Sequence, residues 1–142
     1  MMLIMLVSSL IGQIFLMTPI MVNSYNDINN NYGKVYMSII MVSYMLLINT
    51  MINDYHYNRI SVNLYVILFV LIGIMIYVYR NQIGVNDKEY LKGMIEHHSM
   101  AILTSKEIIK KSEDYNVLKI AKSIVQQQED EINKMRELVN KL

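Results

Sequence analysis

Three stretches of the chain are apolar almost without interruption, and a fourth alternates apolar and polar positions every three or four residues. The apolar stretches are MMLIMLVSSLIGQIFLMTPIMV (1–22), VYMSIIMVSYMLLINTMI (35–52) and ISVNLYVILFVLIGIMIYVY (60–79). A helix rises about 1.5 Å per residue, so about 20 apolar residues cross the ~30 Å hydrocarbon layer. The pattern therefore predicts three transmembrane helices within residues 1–79. The first could instead be a secretory signal. It lacks the basic start and the small-residue cleavage site of one, which favours a retained helix, with Pro19 near its end. The connector NDYHYNR (53–59) is short and polar, so the second and third runs are expected to form an antiparallel hairpin. Tyrosines gather at the edges of the runs, among them Tyr36, Tyr55, Tyr57, Tyr77 and Tyr79. A ring with a polar tip is best placed there.

Residues 80–85 read as a linker, and residues 86–142 change period. Asn86 is placed as an N-cap, with Glu89 three positions on as in a capping box. Apolar positions and the two histidines then recur at helical spacing: Tyr90, Met94, His97, Ala101 and Ile108 in one row, Leu91, Ile95, His98, Ile102 and Ile109 in the next. KSEDYN is the turn, and Asp114 caps a second helix. That helix carries Val117, Ala121, Ile124, Gln128, Ile132, Met135, Val139 and Leu142 on one stripe. The spacing is coiled-coil-like and predicts an antiparallel two-helix hairpin. No strand pattern, internal repeat or Gly-rich phosphate loop is present.

Charge sharpens this division. Residues 1–79 hold only Asp27, Lys34, Asp54 and Arg59, and every other charged residue follows them. The first part suits lipid and the second suits water. Sixty-odd polar residues are too few to cover three apolar helices in a soluble protein. The net charge of +1 argues against nucleic acid as a partner. With no cysteine there is no disulfide, thiolate metal site or thiol nucleophile. Basic residues near the membrane, Arg80, Lys88 and Lys92, outnumber Lys34 and Arg59 and favour a cytoplasmic C-terminus.

Candidate chemistry lies in MIEHHSM (94–100). Residues three and four apart are neighbours on a helix. Met94 is thus beside His97 and His98, and Met100 is beside His97. Neutral imidazole with thioether suits a soft metal, Cu(I) above all; Zn(II) would take the imidazoles alone, and calcium or magnesium would want carboxylates. If the turn centres near Glu113, His98 faces Gln128, Ile95 faces Glu131 and Leu91 faces Met135. Gln128 or Glu131 could then hold an imidazole N–H from behind the site. The other reading of this pair is a set of hydrogen-bonded core histidines, and of Met135 plain core packing. Met37, Met41 and Met45 form a stripe best read as packing or lipid contact. No nucleophile–base pair or acid–base carboxylate pair stands out, so no catalysis is expected.

NDKEYLKGMIEHHSMAILTSKEI followed by IAKSIVQQQEDEINKM resembles the signature of the domain-of-unknown-function family 305. The matching positions are Asp87, Tyr90, Leu91, Met94, Ile95, His97, His98, Ala101, Ile102, Ile124, Gln128, Glu131, Ile132 and Met135. The resemblance covers residues 86–142, and more loosely the whole chain through the family's small membrane-bound branch. It implies a ferritin-like half-bundle and copper binding outside the cytoplasm, with metal roles for Met94, His97, His98, Met100 and Met135 and support from Gln128 and Glu131. Where the family usually has proline before the histidine pair, this chain has Glu96. The implied compartment opposes the charge count, and the side of the membrane stays open.

The expectation is therefore an all-α protein: three membrane spans and a C-terminal hairpin that self-associates, in a homo-oligomer, to complete a bundle. It is expected to bind copper or another soft metal ion for sequestration or handling. The alternative is a structural membrane protein whose hairpin is an oligomerisation module without metal.

Overall fold

The computed structural model describes residues 2–142, all of whose regular elements are helical. In chain order these are α1 (Met2–Ile11), a π-helical stretch (Gly12–Met17), α2 (Thr18–Met21), a 3-10 turn (Tyr25–Asp27), α3 (Tyr32–His56), α4 (Val62–Arg80), α5 (Asp87–Ile109) and α6 (Tyr115–Lys141). They form two compact units. One contains the chain up to Leu16 and Tyr32–Gly84; the other contains Met17–Asn31 and Val85–Leu142.

In the first unit α3 and α4 pack as a hairpin around Val42, Leu46, Leu47 and Leu68, with Leu64 and Tyr65 against them. The turn between them is closed by Asp54. Its carboxylate accepts the Ser61 backbone N–H at 2.6 Å and the Ser61 hydroxyl at 2.8 Å. This satisfies an amide at the start of α4 that the helix itself leaves unpaired. At the far end of α4 the chain leaves through Gly84, whose φ of +79° suits glycine. There the Tyr36 hydroxyl donates to the Ile83 carbonyl at 2.8 Å.

The expectation of three spanning helices is corrected: two helices are candidates by length and composition. Among the described residues, Tyr32–His56 and Val62–Arg80 are long and apolar enough to cross a membrane. The first apolar run is different. It is helical from Met2 to Met21 but through three successive elements, α1, the π-helical stretch and α2. It is also divided: α1 gives way to the π-helical stretch, and from Met17 the chain belongs to the second unit, in which Thr18 and Val22 are buried. The end of that run is used for packing against protein.

The second unit is built on α5 and α6. Asn86 caps α5 by accepting the Glu89 N–H at 2.9 Å. The Glu89 carboxylate takes Lys92 at 3.0 Å, so the side-chain half of the capping box goes to an ion pair. Asp114 caps α6 twice, accepting from the N–H groups of Asn116 and Val117 at 2.8 and 2.9 Å. The seam is Ile95, Ile102 and Ile132, with Val125, Met135 and Val139 packed beside them. Lys106 crosses it to Glu129 at 2.8 Å. Ile102 is the most enclosed of the apolar set, at 1% exposure. Truncation there leaves a cavity, so Ile102→Ala is expected to destabilise the hairpin by about 2–5 kcal/mol, read from denaturant unfolding followed by circular dichroism.

Candidate functional site

α5 carries chemistry on both flanks of the seam. The histidine pair sits on one flank, and a network of buried carboxylates on the other. The exposure of each side chain follows from its position round the helix, since successive residues turn by about 100°. Ile95, Ser99 and Ile102 face inward and are buried; His97 is exposed; His98, Met94 and Met100 are half-buried.

The two imidazoles therefore diverge, with ring centres 6.4 Å apart and planes at 61°. His98 turns toward α6, where its Nδ1 lies 3.1 Å from Glu131 Oε2. The contact is off the line of a hydrogen bond, and Nδ1 is a buried nitrogen without a hydrogen-bond partner. Burial lowers the His98 pKa below its ordinary value; the Glu131 carboxylate opposes this and the neighbouring His97 adds to it. Desolvation wins, so the ring is neutral at pH 7.

Of the residues named from the sequence, the structure brings His98 and Glu131 together. Glu131 takes the place that equidistance from Glu113 gives to Gln128, about one turn further along α6. Gln128 is half-buried on the same flank. Met135 packs against the isoleucine seam. Met94 lies one turn before His98 on the same side of α5. Met100, on the side of α5 away from His98, does not join this group. Among the described residues no three His, Asp or Glu side chains are grouped as a metal cage.

The other flank was not foreseen. Segment 22–31 is strapped to the hairpin by Asp27, which is 3% exposed. Its Oδ2 accepts the Ser99 hydroxyl at 2.6 Å, and its Oδ1 takes the Arg136 guanidinium of α6. The Ser99 oxygen in turn accepts the Asn23 N–H at 2.9 Å. Three regions of chain meet on one carboxylate. Next to it, the buried Glu96 accepts the Asn29 backbone N–H and, at 3.3 Å, the Asn31 side-chain amide. Glu96, the residue before the histidine pair, thus holds the strap. One signal was available: Asp27 is one of only four charges before residue 80 and sits in the polar run NSYNDINNN. Its partners lie 72 and 109 residues away, beyond any local pattern.

An all-helical chain with two apolar helices of spanning length and a strapped C-terminal hairpin is the class these features define. Residues 79–139, the hairpin and its approach, match the family described as "Domain of unknown function (DUF305)". The chain is also 31% identical, over 140 residues, to "Uncharacterized protein L153" of Acanthamoeba polyphaga mimivirus; the match covers 99% of this chain and 91% of that protein. The chain belongs to the DUF305 family. No solved structure matches it.

Two outcomes follow from the two flanks. Arg136→Met removes the charge facing the buried Asp27, so hydrogen exchange of the 22–31 amides is expected to quicken by roughly tenfold or more while the α5–α6 core stays protected. Because His98 binds its proton less readily folded than unfolded, its contribution to stability is complete above its ordinary pKa of 6.5 and is lost as pH falls through its lower folded value. Tm of the metal-free protein should fall between pH 7.5 and 5, and His98→Gln should remove that share of the slope.

Proposed function

We propose that the chain is a multi-pass membrane protein whose C-terminal hairpin binds a soft metal ion, copper above all, for sequestration or handling. The membrane part of this reading is supported by α4. Its apolar side chains are exposed round most of the helix, Val66, Ile67, Phe69, Val70 and Ile74 each by half or more, and Leu68 is its buried residue. A helix of this kind needs lipid or further protein around it.

The observation that carries the metal reading is His98. Its imidazole is kept uncharged by burial, and a ligand imidazole must be uncharged. The Glu131 carboxylate beside Nδ1 favours the tautomer with its proton on that nitrogen, which leaves Nε2 as the donor. The thioether of Met94 lies one turn away, and Met135 stands on the facing helix. An imidazole with thioethers fits Cu(I) by donor chemistry and does not fit calcium, magnesium or a tetrahedral zinc site. His97, exposed and turned from the seam, would serve as a second donor from the solvent side. The bound ion would supply charge to a half-buried polar gap; the chain's own part is to hold the imidazole neutral and oriented.

The competing reading, an interaction module without metal, draws on the divergence of the two histidines. A Cu(I) titration against a competing chelator, without oxygen and on the full chain in detergent, separates the two. Tight one-to-one binding is expected, weakened more by His98→Ala than by His97→Ala and lost in the double variant. Weak binding equal in all four proteins would overturn the metal reading and leave the module.

A further inference from the structure

α6 has more apolar surface than α5 covers. Its seam contacts centre on Ala121 and Ile132. Roughly a quarter-turn round the helix from Ile132, a second stripe stays in water. Its ends are Val117 and Ile120, 42% and 62% exposed, and Leu138 and Leu142, 49% and 63% exposed. Its middle is polar, Gln128 and Glu131. This is the His98 flank of the hairpin, since Glu131 is the residue that reaches Nδ1. The strap of residues 22–31 engages the other flank, through Arg136, Ser99 and Glu96, and leaves this one open.

The stripe is self-complementary. About a point between Glu129 and Asp130, Val117 is as far back as Leu142 is forward. Ile124 stands likewise to Met135, and Gln128 to Glu131. Ile120 and Leu138 correspond to within one residue. A helix laid antiparallel on its own copy about a two-fold axis brings such pairs together. In that arrangement apolar ends meet apolar ends, and an amide able to donate meets a carboxylate able to accept. Exposed apolar stripes of this kind mark contacts, and a hairpin this small buries little by itself.

We propose that the chain self-associates through this face of α6, antiparallel, about a two-fold axis between Glu129 and Asp130. The partner subunit's Gln128 then covers Glu131, and the two His98 side chains are enclosed by one interface. This stands apart from the metal reading: association needs no ion, and the copper titration can fail without touching it.

The chain has no cysteine, so engineered thiols report cleanly. Ile120→Cys and Leu138→Cys, carrying different tags, are co-expressed as full chains, purified in detergent and mildly oxidised. Like residues would lie about 25–28 Å apart along the axis, and the unlike pair would meet. The disulfide between the two variants is therefore expected to form more than about tenfold faster than either variant's own, since closure outpaces chance encounter. Both positions are exposed, and circular dichroism checks that helix content is kept; Val117→Cys with Leu142→Cys is the substitute pair if it is not. Faster cross-linking of either variant with itself, or a monomeric mass by sedimentation equilibrium with no cross-link, would overturn the proposal.

Discussion

A buried carboxylate has to be matched by charge and hydrogen bonds or it destabilises the fold that contains it. Asp27 imposes that constraint on the second unit. Its two oxygens are met by Ser99 from α5 and Arg136 from α6, and the segment that carries it is drawn across one side of the hairpin. Glu96 repeats the arrangement next to it with Asn29 and Asn31. A two-helix hairpin with a three-isoleucine seam buries too little to be secure alone. The strap adds a third region of chain and fixes the flank it covers.

Closing one flank leaves the other to do something else. The open flank has His98 in its middle, neutral because it is desolvated, and a carboxylate near enough to orient it but not bonded to it. Apolar residues extend from there toward both ends of α6. The proposed metal chemistry and the proposed self-association use the same surface, and each would further dry the imidazole.

Much of this was legible in the residues. Helical periodicity with Asn86 and Asp114 at the starts located α5 and α6, because caps and spacing are local signals. The two long apolar runs were legible for the same reason. The first apolar run was not, since hydropathy cannot tell whether a segment packs in lipid or against protein, and Thr18 and Val22 are buried against protein. The register of the hairpin was legible only to about one helical turn. Counting from the turn put Gln128 level with His98 and left Gln128 or Glu131 as its support; the long Glu131 side chain is the one that reaches it. The strap was illegible because Asp27 finds its partners through tertiary contact, not spacing.

The central claim is that His98 and its thioether neighbours form a soft-metal site. X-ray absorption on the Cu(I)-loaded full chain in detergent tests it most directly, since it reads the atoms around the ion. The account predicts sulfur together with imidazole nitrogen at the copper, and loss of the imidazole signature in His98→Ala. A copper environment of oxygen and nitrogen without sulfur, unchanged by that substitution, would contradict it.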